Sequence, residues 1–245
     1  MGFHSYLQSR RLPFEGIYAT GFNHKAFKYI KGQSIKASQR LADERGEAPD
    51  ISGSGNRNAH LLAVAPNASS SIICGGTSPS IEPYRANVYT HKTLSGSFQV
   101  KNRHLENLLA DKKLNKTELK DVWKDIAGHE GSVQHLDILT DEEKEIFKTA
   151  NEIDQMWIVE HAAQRQDYIC QAQSVNLFFT IPTATEKQEV HDEYMQYVND
   201  VHWYGMNKLK SLYYFRTNAA RNAENVNLKV QRIKLDDVEC IACEG

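Results

Sequence analysis

The chain has 245 residues, 40% of them hydrophobic and 24% charged, with a formal net charge of -2. That is ordinary composition for a globular protein with a substantial core. The basic residues are interleaved with acids and apolar residues, so no basic stripe for nucleic acid and no acidic tail emerges. No apolar run is long enough to span a bilayer, and the opening MGFHSYLQSRRLPFEG lacks the apolar centre of a signal peptide. Four cysteines, Cys74, Cys170, Cys240 and Cys243, are too few for a disulfide framework in a chain this long. The expectation is a cytoplasmic protein.

Taken in chain order, residues 23–45 carry Phe27, Ile30, Ala37 and Leu41 on one helical face, with Gly46 as the stop. The glycine-rich EAPDISGSGNRN follows. HLLAVA, residues 60–65, is a continuous apolar run broken by Pro66-Asn67 and reads as a buried strand ending in a turn. A short amphipathic helix holds Leu119, Val122, Trp123 and Ile126, opened by an Asn115–Glu118 capping box and closed at Gly128. A longer helix is expected from the capping box at Thr140, with Ile146, Ala150, Ile153 and Trp157 facing inward. SVNLFFTI, residues 174–181, is a strand cut off by Pro182. A further helix from about Thr185 turns Val190, Tyr194, Tyr197, Val198 and Val201 toward the core. KLKSLYYFRT, residues 208–217, is the last strand. Beyond Thr217 large apolar side chains become sparse, so residues 218–245 read as a mobile tail after a folded unit over 1–217. Helices alternating with strands imply an α/β layered or barrel fold.

Three stretches carry chemistry. APNASSS, Ala65 to Ser71, places free amides and hydroxyls at the start of a helix behind a strand, an anion-binding arrangement that helix capping alone also explains. The GGTSPS after it lacks the lysine of a phosphate-binding P-loop. CIAC, Cys240 to Cys243, is a CxxC pair on a tail, suited to carrying a disulfide between sites. A zinc site there would need two more ligands, and the histidines, the His202-Trp203 pair included, show no ligand spacing, so no metal site is expected. Cys74 and Cys170 sit among apolar residues and are expected in the core. Tyr213 and Tyr214 are adjacent phenols in a strand, where alternation would send them to opposite faces.

The landmarks APNASSS, SIEPYRANVYT and LSGSFQV, then YICQAQSVNLFF and LKSLYYFRT, and the closing CxxC resemble, in the same order, the large subunit of class I ribonucleotide reductase in its bacteriophage and eukaryotic forms. The helix PFEG…KASQRLADERG matches as well, so the resemblance covers essentially the whole chain. It implies the C-terminal portion of a ten-stranded α/β barrel, incomplete on its own, with a flexible C-terminal tail. Pro66, Asn67, Ala68, Ser69 and Ser70 match the loop that holds the substrate's diphosphate, although some bacterial members carry an acidic residue where Ala68 stands. Tyr213 and Tyr214 match the pair that passes a radical toward the active site. Cys240 and Cys243 match tail thiols that re-reduce the active-site disulfide and are reduced in turn by thioredoxin or glutaredoxin. The resemblance further implies a metal-containing small subunit as radical source, a ribonucleoside diphosphate substrate, effector nucleotides bound elsewhere, and a separate N-terminal piece carrying the catalytic thiyl cysteine. Split reductase component is thus the expectation, with a non-catalytic assembly module or a stand-alone thiol–disulfide protein as alternatives.

Overall fold

A computed structural model describes residues 1–93, 96–183 and 186–219. Cys240 and Cys243, and the whole proposed tail beyond residue 219, lie outside the described residues.

The chain opens with α1 (Phe3–Ser9), then the long α2 (Ile17–Arg45), a single 3-10 turn at Pro49–Ile51, and the short α3 (Ala68–Ile73). A hairpin of β1 (Val88–Thr93) and β2 (Gly96–Lys101) leads into α4 (Arg103–Asp111), α5 (Lys116–Gly128) and α6 (Asp141–Ile146). The last part is α7 (Gln155–Gln166), β3 (Asn176–Ile181), α8 (Gln188–Lys208) and β4 (Tyr214–Ala219). β1 and β2 pair antiparallel, Val88 opposite Lys101. β3 and β4 pair parallel, Asn176 opposite Tyr214, with α8 as the crossover that parallel pairing demands.

The first expected strand is only partly formed. Residues 61–64 run parallel to residues 170–174: Gln171 N donates to Leu62 O, Val64 N to Ala172 O, and Ser174 N to Val64 O. Tyr213 N donates to Val175 O. Alternate residues of a strand turn their peptide groups to opposite edges, so the segment leading into β3 lies between residues 62–64 and β4. This is a slice of a parallel sheet whose two outer edges have no partner among the described residues. Leu61, Leu62 and Val64 are consequently half-buried, not buried as the apolar run suggested.

Two apolar cores hold the elements. One gathers Phe3, Leu7 and Phe14 with Ile158, Val159 and Ala162 of α7, Leu177, Phe178 and Phe179 of β3, and Val201 of α8. The other packs Leu105, Leu108 and Leu109 of α4, at helical i, i+3, i+4 spacing, against Trp123 and Ile126 of α5 and against Val133, Leu136 and Phe147. A buried polar bridge joins them. Asn102 caps α4 by accepting from His104 N (3.0 Å) and donates to Gln8 Oε1 and Asn87 Oδ1, both at 2.9 Å. Asn87 Nδ2 in turn donates to Gly131 O and Phe147 O.

Both expected capping boxes are present, at Asn115–Glu118 and Thr140–Glu143. Five expectations need correction. The helix from Thr140 is two helices: α6 stops at Phe147, the Thr149 amide and hydroxyl both donate to Glu152 Oε2, and Asp154 caps α7 by accepting from Met156 N. On α2 the contact face is not the apolar one read from spacing. Ile30 and Ala37 are exposed, while Ala19, Asn23, Ser38 and Ala42 are buried. There Asn23 bonds His161 O and, through its Oδ1, the buried Arg165 guanidinium, which Phe3 and Phe27 flank with their rings. Lys208 belongs to α8, so the last strand starts at Tyr214. On α8, Val190 is exposed and not turned toward the core as expected, and Cys74 and Cys170 are exposed.

Candidate functional site

Paired residues in neighbouring strands point to the same side of a sheet. On one side of β3 and β4, Phe179 stacks on Phe215 (centroids 5.4 Å, 24°) and meets Tyr194 and Tyr197 of α8. This is the helix-covered side. The opposite side therefore carries Asn176 and Phe178 of β3 with Tyr214 and Arg216 of β4, and it is polar and charged.

The tyrosines meet at its edge. Their ring centroids are 4.4 Å apart at 60°, an edge-to-face contact. Strand alternation does not separate them because Tyr213 precedes the first regular residue of β4. The neighbouring Tyr214 phenol holds the Tyr213 phenol above its ordinary pKa. The Arg216 guanidinium lies 5.1 Å from the centre of the Tyr214 ring, two residues on and on the same side.

Glu82 and Arg85 close this inner face. Asn176 Nδ2 donates to Glu82 Oε1 at 2.5 Å. Glu82 is 7% exposed, and burial raises its carboxyl to about 7, against the opposing pull of the Asn176 bond and the charges of Arg85 and Arg216. Arg85 sits 5.3 Å from the Phe178 ring centre, and burial followed by the like charge of Arg216 lowers its pKa. Arg85, Tyr214, Phe215, Arg216 and Thr217 line an open cleft of ≈ 550 Å³. Ser174 Oγ and Asn176 Oδ1 are buried without a hydrogen-bond partner beside it. A cleft with two guanidinium groups, a carboxyl poised near neutrality and two phenols in contact can bind anionic groups and exchange protons. SIEPYR contains Glu82 and Arg85, yet sequence reasoning gave neither a role.

The loop at Pro66, Asn67, Ala68, Ser69 and Ser70 leaves the strand-like segment just after Val64. Val64 pairs with Gln173 and Tyr214 with Asn176, so loop and tyrosines flank the start of β3 from opposite edges, a few residues apart along its axis. Asn67 adopts a left-handed conformation (φ 50°, ψ 32°) and makes no cap to α3; its side chain donates back to Ala65 O. The helix ladder starts at Ser71 N, which bonds Asn67 O, so the amides of Ala68, Ser69 and Ser70 precede it. Ala68, Ser69 and Ser70 are exposed.

Cys170 departs from its expected core role. Its sulfur accepts from Leu61 N (3.0 Å) and Leu62 N (3.1 Å). Partial burial would raise the thiol's pKa, but these amides and the Lys210 charge outweigh it and lower the value. Against the expectation of no ligand spacing among the histidines, Asp125, His129 and His135 converge. No helix among the described residues is long and apolar enough to cross a membrane.

The family model for the "Ribonucleotide reductase, barrel domain" matches residues 48–215. The chain is 43% identical over 249 residues to the ribonucleoside-diphosphate reductase large subunit of Invertebrate iridescent virus 3, covering all of this chain and 38% of that protein. A putative ribonucleoside-diphosphate reductase large subunit of Frog virus 3 (isolate Goorha) is 42% identical over 245 residues, again across this whole chain and 41% of its own length. Among solved structures, the Actinobacillus ureae class Id ribonucleotide reductase alpha subunit superposes with a TM-score of 0.74 at 40% identity, over 90% of this chain and 38% of that one. The chain thus spans about two fifths of the length of the relatives it matches.

Proposed function

The chain belongs to the ribonucleotide reductase barrel-domain family, and from that premise we propose that it supplies the C-terminal part of a ribonucleoside-diphosphate reductase large subunit. In this reading residues 1–217 are the barrel portion and residues 218–245 a redox tail. The remainder of a large subunit supplies the catalytic cysteine, and a metal-bearing small subunit supplies the radical. The observation that carries the reading is the tyrosine pair, two phenol rings in edge-to-face contact with centroids 4.4 Å apart at the mouth of an open sheet face.

A phenol with its ordinary pKa of about 10 keeps its proton at neutral pH, so its oxidation releases an electron and a proton together. With the two rings in contact, the electron and proton that leave Tyr213 refill an oxidised Tyr214, or the reverse. No charge is then left stranded near Arg85 and Arg216. The inner-face carboxyl of Glu82 is close to half-protonated at neutral pH, which lets this face adjust its charge as the radical passes.

Substrate binding falls to the loop Pro66, Asn67, Ala68, Ser69 and Ser70, whose leading amides suit a diphosphate. Cys240 and Cys243 are the tail pair that accepts electrons from thioredoxin or glutaredoxin and passes them to the active-site disulfide. Nucleotide effectors bind elsewhere in the assembled enzyme.

The test is reconstitution. The chain is combined with the remainder of a large subunit, a small subunit and reductant, and deoxyribonucleotide formation is followed. Turnover is expected only in the complete mixture. Tyr213→Phe and Tyr214→Phe each abolish it while the components still co-sediment. Cys240→Ser stops repeated turnover with thioredoxin but not with a small dithiol. Undiminished turnover in either phenylalanine variant refutes the radical role.

A further inference from the structure

Asp125 and His129 lie one helical turn apart at the C-terminal end of α5, and His135 returns from the loop behind it. His129 Nδ1 is 3.2 Å from Asp125 Oδ1, and His135 Nε2 is 3.1 Å from Asp125 Oδ2. The three ligand atoms all lie within 4.8 Å of one another. The two imidazoles stack with centroids 3.7 Å apart and planes 25° from parallel. Two stacked imidazolium ions would repel each other, and one carboxylate is a poor match for both. A single divalent cation, replacing the protons between these groups, satisfies all three at once.

The loop is built to hold this arrangement. Gly131 N donates to Ile126 O at 2.8 Å and Ser132 N to His129 O at 2.9 Å, closing the helix end. Gly131 O accepts from both Asn87 N and Asn87 Nδ2 at 3.0 Å. Ser132 Oγ donates to Glu152 Oε1, and Gln134 Nε2 to Lys144 O at 3.0 Å. Val133 and Leu136, on either side of the His135 segment, are buried in the second core. His135 therefore has its backbone fixed, whereas His129, with 55% of its side chain exposed, can turn about Cα–Cβ, releasing the 3.0 Å contact of its Nδ1 with Asp125 O, to bring one ring nitrogen onto the ion that His135 faces. The negative end of the α5 dipole adds to the attraction for a cation.

We propose that Asp125, His129 and His135 form a binding site for a divalent transition metal of the zinc class, which clasps the end of α5 to the loop behind it. Two imidazole nitrogens and one carboxylate oxygen are the donor set of zinc and its borderline neighbours, not of magnesium or calcium, which select all-oxygen sites. Three protein ligands leave a fourth position open to water. The site shares no residue with the tyrosine face, so it stands or falls independently of the reductase reading.

The test is calorimetric titration of Zn²⁺ alone into the metal-stripped full chain carrying Cys240→Ser and Cys243→Ser, which removes the tail thiols as competing ligands. One ion per chain is expected, together with a rise in thermal midpoint when Zn²⁺ is added. Losing an outer-shell partner already weakens metal sites about 10–100-fold, so His135→Ala and Asp125→Asn should each weaken binding at least tenfold and remove the midpoint shift. Far-UV ellipticity checks that these variants remain folded. Absence of stoichiometric binding overturns the proposal. So does affinity unchanged in both variants, which would assign the ion to other surface groups.

Discussion

Glu82→Gln isolates the charge state of the inner face. Three buried groups dominate the response of stability to mild acid, with half-buried His104, lowered by burial, acting in the same direction as the two histidines among them. Burial lowers the pKa of His4 from 6.5 to about 3, against the pull of its bond to Ile146 O, while the Tyr84 amide donates to its Nδ1. Burial likewise lowers His161 to about 4, although its Nε2 bonds Phe14 O. Both are neutral in the fold, so their stabilisation is full above pH 6.5 and is lost as the unfolded chain takes up protons below it. Glu82 works in the opposite sense. Its folded pKa of about 7 stands above the ordinary 4.5, so its contribution is full below that ordinary value and is lost as pH rises through 7.

At 1.36 kcal/mol per pKa unit, going from about pH 7.5 to pH 5 costs about 2 kcal/mol for each histidine, about 4 together. Protonation of Glu82 returns about 2 kcal/mol over the same range once partial solvent screening is allowed for. The parent should therefore lose only about 2 kcal/mol. The Gln variant keeps the Asn176 bond and mimics the protonated acid. It should be more stable than the parent by about 2 kcal/mol at pH 7.5, nearly equal to it at pH 5, and lose about 4 between them. Denaturant unfolding at the two pH values measures this. Parallel pH dependence in parent and variant would show Glu82 ionised throughout, and the proton-buffering role of the inner face would fall with it.

Other consequences follow from packing. Gly131 has φ 87°, and a Cβ there would lie 2.4 Å from Ala86 Cβ and 2.8 Å from Ala86 Cα. Gly131→Ala combines left-handed strain with overpacking, and a loss of about 2–4 kcal/mol is expected in urea unfolding. Asn102→Ala removes the cap of α4 and withdraws donors from Gln8 and Asn87; about 2–4 kcal/mol should be lost, with wild-type-like stability counting against the polar bridge.

What the sequence shows well is local. The capping boxes at Asn115 and Thr140 need only residues three apart, and both are present. Periodicity is less discriminating. Ile146, Ala150 and Ile153 are buried as a continuous helix would require, yet a capped turn intervenes between α6 and α7, because such a turn can also return side chains to the core. α1 is hard to read from sequence because its buried residues include the polar His4, Ser5 and Gln8, which bond each other (His4–Gln8) and distant partners such as Tyr84, Ser78 and Asn102. Cys170 was misread because its apolar sequence neighbours say nothing of the amides of Leu61 and Leu62, over a hundred residues away. The resemblance supplied the tyrosine pair, but the reason its rings can touch lies in where β4 begins.

That starting point also explains why the inner face matters more than either tyrosine alone. Tyr213 N is still tied to Val175 O, so the residue is anchored to the sheet, while its side chain has not yet entered the alternation that would carry it to the helix side. Tyr214 is the first residue to obey the alternation, and it points, with Arg216, toward Glu82, Asn176 and Arg85. Barrel interiors are normally filled by layers of apolar side chains. This one instead buries a carboxyl near its midpoint and two polar atoms, Ser174 Oγ and Asn176 Oδ1, that no described residue satisfies. Such atoms are costly to leave unpaired, and Trp123 Nε1 in the second core is a third among the described residues. The unpaired sheet edges among the described residues and the contacting phenols are the features on which the proposed assembly with the rest of a large subunit rests.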